Sequence, residues 1–147
     1  MIEIAVHNAH PRRRIPRGRV VETVTRVVRG ERRSHAQISV VFTDSSRIAR
    51  LNARYLQHRG STDVISFSLG APKELEGEIY VNLDRARSQA RTYGVPYALE
   101  VSRLVVHGTL HLLGYDDATE QSRLRMKRYE DRYLGLPARR PPMERVE

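Results

Sequence analysis

Cysteine is absent from this 147-residue chain, and lysine is nearly so: Lys73 and Lys127 are the only lysines among 26 basic residues, which leaves 24 arginines. Without cysteine there is no disulfide framework and no thiolate-closed zinc site, a pattern that agrees with a cytoplasmic protein. Long apolar runs are missing too, since none approaches the roughly 20 residues that a membrane span requires. The chain opens on Ile2-Glu3-Ile4-Ala5-Val6, an alternation expected of a strand rather than of a signal peptide. A membrane-spanning protein and a disulfide-stapled secreted one are set aside on these grounds.

What is present is positive charge. The formal net charge is +9, and arginine offers a planar donor fork that suits phosphate oxygens. A GC-rich genome would by itself favour arginine codons over lysine codons, so the skew is assigned to the genome and the net charge to a polyanionic partner. Hydrophobic residues make up 39% of the chain, above the level of disordered sequences, and they are periodic. At this length a single core buries about two thirds of the unfolded chain's surface. One domain over residues 1–137 is expected, with a basic, proline-containing tail at 138–147 expected to be disordered.

The segment His107-Gly108-Thr109-Leu110-His111-Leu112-Leu113-Gly114-Tyr115-Asp116-Asp117 carries the chemistry. His107 and His111 are four residues apart, so on a helix both imidazoles lie on one face, a turn apart. Gly114 is placed to end the helix in a left-handed conformation and turn the chain back, returning Asp117 beneath the rings. Two imidazoles and one carboxylate suit zinc, and three protein ligands leave a fourth position for water. The offset of six residues between His111 and Asp117 is that of metzincin-type zinc sites. Gly108 stands where their general-base glutamate would be. The ordinary alternative is a helix with two histidines and a common stop.

Periodicity sets the surrounding elements. Strands are expected at residues 2–6, 38–42, 62–67 and 79–81. A helix over 19–28, with Val20, Val21, Val24, Val27 and Val28 on its face, is expected to stop at Gly30. Asp44 starts a second helix bearing Ile48, Leu51, Asn52 and Tyr55. The third and fourth strands form a hairpin whose loop, Leu69 to Gly77, is of a size to cover a substrate. Asp84 is expected to cap a helix with Leu83, Ala86, Ala90 and Tyr93 turned inward. The helix 99–113 is apolar over almost its whole circumference and should cross the middle of the domain. Glycine at 108 in its interior costs about 1 kcal/mol relative to alanine, implying that a side chain there would obstruct a neighbouring helix or the substrate. Thr119 starts a last helix with Met126, Tyr129 and Tyr133 inside. The fold class is α+β, a four-stranded mixed sheet packed with about five helices.

These residues resemble a known family. His107 to Asp117 is similar to the signature H-G-x-L-H-L-x-G-Y-D-H of the YbeY family of bacterial endoribonucleases and differs at its last fixed position. Leu51-Asn52 with Tyr55, then Thr62-Asp63-Val64-Ile65-Ser66-Phe67, resembles L-N-x-x-Y followed by T-[DN]-V-[IL]-S-F, and Gly77-Glu78-Ile79 resembles G-[DE]-I. The resemblance implies one zinc ion and cleavage of single-stranded RNA in maturation of small-subunit ribosomal RNA. The implied partners are precursor ribosomal RNA and the ribosome or its small subunit.

Two departures bear on the site. The family's third histidine ligand is Asp117 here. That lowers the charge of the site by one unit, so the activated water should be less acidic and the optimum more alkaline. After Tyr55, where many members have a basic residue thought to face the scissile phosphate, this chain has Leu56. Arg54 and Arg59 are the nearby candidates to serve in its stead. Asp116 is the nearest candidate base, and Glu100 is placed to orient His107 from behind, with a salt bridge to Arg103 as the plainer alternative. His58 lies in a loop where it would touch substrate. His7, His10 and His35 read as surface or core histidines. A zinc peptidase and a non-catalytic ribosome-associated protein with a structural metal are the other function classes, and the missing glutamate at 108 weighs against the peptidase.

Overall fold

The computed structural model describes residues 1–57, 60–71 and 73–137; His58, Arg59 and the expected tail at 138–147 lie outside the described residues. The elements run β1 (Ile2–Asn8), α1 (Arg17–Gly30), β2 (Ala36–Thr43), α2 (Ser45–Leu51), a π-helical turn (Asn52–Leu56), β3 (Val64–Ser68), β4 (Glu76–Asn82), α3 (Leu83–Tyr93), α4 (Tyr97–Leu112) and α5 (Glu120–Tyr133). The sheet order is β1-β2-β4-β3. β1, β2 and β4 are parallel, with Ile4 opposite Ile38 and Val40 opposite Ile79, and β3 returns antiparallel to β4 with Ser66 opposite Ile79. Among the described residues the architecture is the expected α+β one, with a mixed four-stranded sheet and five α-helices. Among the described residues no helix is long and apolar enough to cross a membrane.

Strand alternation divides the sheet into two faces. Ile4, Ile38, Val40, Phe42, Ile79 and Val81 are buried and form one core with Val20, Val24 and Val28 of α1 and Val101, Leu104 and Val105 of α4. On β1, Glu3, Ala5 and His7 point the other way and are exposed. Helix α4 touches α1, α3, α5, β3 and β4, which explains why its sequence is apolar nearly all round. A rigid central helix is what the paired histidines are mounted on.

Several local expectations are corrected. Helix α1 ends at Gly30 as expected, but Gly30 is not a left-handed stop. A Cβ there would strike the ring of Tyr133; the chain turns at Arg32, with φ 61°. The cap of α3 is Asn82, whose side chain accepts from the Arg85 N–H at 3.0 Å. Asp84 lies in the first turn, where it accepts from Ser45 N–H at 3.1 Å and pairs with His10 Nε2 at 2.8 Å. Tyr93 is 65% exposed rather than turned inward. Gly77 belongs to β4 and not to the loop, since a side chain there would collide with Leu112 and the Phe67 carbonyl. Leu69, just after β3, lines a depression with Glu3 and Gln37.

Candidate metal centre

Helix α4 ends as its sequence predicts. Gly114 has φ +100°, its N–H donates to His111 O at 3.0 Å, and Tyr115 N–H donates to Leu110 O at 3.0 Å. These two bonds satisfy the last carbonyls and reverse the chain. The reversal sets Asp117 Oδ2 3.5 Å from His107 Nε2 and Asp117 Oδ1 3.7 Å from His111 Nε2, while the two Nε2 atoms are 2.9 Å apart. One donor atom from each of the three residues falls within 4.8 Å of the others. A tetrahedral ion with bonds of about 2.0–2.1 Å needs donors roughly 3.3 Å apart, so the triangle fits zinc with small adjustments. The carboxylate end of this triangle is open, Asp117 being 45% exposed. The negative end of the α4 dipole adds to the attraction for a cation.

The residue that fixes His107 is Glu130, not Glu100. Glu130 Oε2 lies 2.7 Å from His107 Nδ1, and the carboxylate is only 6% exposed. Nδ1–H donating to this carboxylate leaves the Nε2 lone pair aimed at the triangle. Arg103 in turn holds Glu130 Oε1 at 3.1 Å and Asp131 Oδ1 at 3.0 Å, so it spans to α5 rather than to Glu100. Glu100 accepts from Gln89 Nε2 at 3.3 Å. The signal for Glu130 was present: with Met126 and Tyr133 it forms the i, i+4, i+7 inner stripe of α5, and an acid on such a stripe needs a partner.

Electrostatics distinguish the two imidazoles. Burial disfavours the charged form of His107, but the hydrogen bond and charge of Glu130, with Asp117, outweigh it and hold its pKa above the ordinary imidazole value. Burial and the neighbouring His107 push His111 below it.

Gly108 keeps α4 against the sheet. A Cβ there would lie 2.5 Å from Ile79 Cγ2 and 3.1 Å from Ser66 Oγ, and Ser66 Oγ donates to the Gly108 carbonyl at 2.9 Å. The obstruction is therefore β3 and β4, not a helix or a substrate. A glutamate at this position would meet the sheet instead of the ion.

The other residues singled out in the sequence are distributed around the centre. Leu56, 41% exposed, lines a groove with His111, Asn52, Ser66 and Ser68, so the position that departs from the family pattern sits beside one candidate ligand. Arg54 projects over the Tyr55 ring, 5.3 Å from its centroid. Asp116 accepts from Ala118 N–H at 3.2 Å; that bond and one from Ser122 lower its pKa, which suits a turn acceptor better than a base. Asn52 donates to the Gly60 carbonyl at 3.0 Å, and Asn82 donates to Ser61 Oγ and the Thr62 carbonyl at 2.8 and 3.0 Å. The asparagines thus fasten the segment leading into β3. His10 is bound to Asp84, and His35 Nδ1 is 2.6 Å from the terminal amine of Met1, so neither reaches the site.

A profile of the family described as Endoribonuclease YbeY matches residues 5–136. The chain belongs to this family. It is 40% identical over 146 residues to an Endoribonuclease YbeY of Salinibacter ruber, covering 92% of this chain and 93% of that one. It is 37% identical over 133 residues to an Endoribonuclease YbeY of Chlorobium luteolum, covering 90% and 96%. The solution structure of TM1509 from Thermotoga maritima superposes with a TM-score of 0.59 at 25% identity, covering 92% of this chain and 90% of that one. Within the YbeY fold as found here, His107, His111, Asp117 and Glu130 all come from α4, the turn after it and α5.

Proposed function

We propose that this chain is a zinc-dependent endoribonuclease that cleaves single-stranded RNA during maturation of small-subunit ribosomal RNA in the cytoplasm. The observation that carries the reading is the donor triangle of His107, His111 and Asp117, matched to a tetrahedral ion and held by a buried carboxylate. Membership of the family described as Endoribonuclease YbeY supports the RNA substrate, and the charge of +9 suits a polyanion.

In this reading His107 Nε2, His111 Nε2 and one oxygen of Asp117 hold the ion. Zinc, when bound, supplies Lewis-acid activation of a water and polarisation of a phosphoryl oxygen. Glu130 keeps the His107 ring in the required tautomer, and Arg103 keeps Glu130 in place. Arg123 and Lys127, both exposed near Asp117, bind flanking phosphates, and Arg54 does so beyond Leu56. The peptidase alternative loses ground because position 108 is pressed against Ile79.

The test is cleavage of a single-stranded oligoribonucleotide and of precursor small-subunit ribosomal RNA by zinc-loaded protein, with and without a chelator. Cleavage that stops on chelation while the circular dichroism spectrum persists supports the reading. Cleavage indifferent to chelation, or none with zinc bound, overturns it. Unfolding on chelation favours a structural ion.

A further inference from the structure

A cavity of about 500 Å³ opens beside the centre, with His107 and Asp117 in its wall. That volume is within the roughly 300–1,000 Å³ of ordinary ligand sites. Its charges are segregated. Leu104 and Met126 supply apolar surface, Asp63, Gln89 and Glu100 supply oxygen atoms, and the interior cation, Arg103, is already paired with Glu130 and Asp131. Glu100 is only 3% exposed and is not used by the metal centre, since Glu130 occupies the role behind His107. Arg123 and Lys127 also line the cavity and are exposed, and Arg123 Nη1 reaches the Asp117 carbonyl at 3.5 Å.

This arrangement repels phosphate from the interior and attracts it to the basic residues. A flat, uncharged group with hydrogen-bond donors on its edge suits the interior. Gln89 donates its amide N–H to Glu100 Oε1, which leaves the Gln89 carbonyl, the second Glu100 oxygen and the Asp63 carboxylate as acceptors. Exocyclic amino groups of adenine, cytosine and guanine present donors to such a set, whereas uracil has carbonyl oxygens at the corresponding edge. An acceptor facing an acceptor in a buried site is costly for both. Burial raises the Glu100 pKa, against the opposing charge of Arg103. A single-stranded substrate has no pair to break before a base turns into a pocket.

Resting on the ribonuclease reading, we propose that this cavity receives one nucleobase of the substrate strand next to the scissile phosphate. Gln89 and Glu100 read the base and favour those with an exocyclic amino group over uracil.

Cytidine and uridine monophosphate differ at that group and are the direct probes. The experiment titrates each into zinc-loaded full-length protein by NMR, then repeats the pair with Glu100→Gln and Gln89→Ala. In the parent, the cytidine nucleotide is expected to bind about tenfold more tightly, the effect of one hydrogen bond to a charged acceptor. In both variants the ratio should fall towards one, with zinc content unchanged. Equal affinities in the parent overturn the proposal, as does a preference that survives in the variants. If Glu100→Gln does not fold, the result with Gln89→Ala decides. Cleavage of single-stranded RNA is scored separately: an enzyme that cuts without discriminating the two nucleotides loses the base pocket alone, and a protein that discriminates but cuts no RNA loses the ribonuclease reading.

Discussion

Glu130 Oε2 stands 2.7 Å from His107 Nδ1, which ties the last helix of the fold to the first candidate metal ligand. The contact also explains Arg103, which bridges Glu130 and Asp131 from α4. A carboxylate with a bound guanidinium on one oxygen and an imidazole on the other has little freedom to rotate. The orientation of His107 is therefore set by helix packing rather than by the ion.

Glu130→Gln should weaken zinc binding by about 10–100-fold, the usual consequence of losing an outer-shell partner of a histidine ligand. Competition against a chromophoric chelator measures this directly. Unaltered affinity in a folded variant would show that His107 is oriented by something else.

Gly108→Ala should destabilise the protein by about 1–3 kcal/mol through overpacking. The added methyl lies 2.5 Å from Ile79 Cγ2, and neither β4 nor α4 can move without disturbing the core. Urea denaturation gives the value. A neutral substitution would mean that the helix stands further from the sheet than found here.

Leu56→Arg should raise the rate of RNA cleavage by about tenfold or more, in the manner of a positioned cationic clamp. Leu56 already faces the groove that holds His111, so an arginine there can extend toward a phosphate at the centre. The gain should appear in kcat/KM and diminish as salt is raised. An arginine that leaves catalysis unaffected would disconnect this groove from the reaction.

Asp117→His should shift the acidic limb of the pH–rate profile downward. Replacing a carboxylate by a neutral imidazole raises the charge of the site by one unit, so the activated water ionises at lower pH. The parent is accordingly expected to have the more alkaline limb. A limb that stays in place, or moves upward, would argue against Asp117 as a ligand.

Much of this was legible in the sequence because it rests on local rules. The spacing of His107 and His111, the left-handed Gly114 and the returning Asp117 follow from helix geometry within eleven residues. The four strands and five helices follow from periodicity and caps such as Asp44 and Thr119. What escaped depends on distant segments meeting. Glu130 is 23 residues from His107, and choosing it over Glu100 requires knowing how α5 lies on α4. Gly30 ends α1 as its position suggests, but its contact with Tyr133 is hidden until α5 is placed, and Gly108 gives no hint of β4 until the sheet is assembled. Asp84 reads as the cap in sequence, whereas Asn82, held by its bonds to Ser61 and Thr62, is the cap observed.

Whether His107, His111 and Asp117 hold zinc is decided by a zinc titration of apoprotein, repeated for His107→Ala, His111→Ala and Asp117→Ala, with elemental analysis of the dialysed product. One tightly held ion per chain is expected in the parent, with loss of tight binding in both histidine variants and weakened binding in the aspartate variant. A parent that retains no zinc, or histidine variants that bind it as well as the parent, would contradict this.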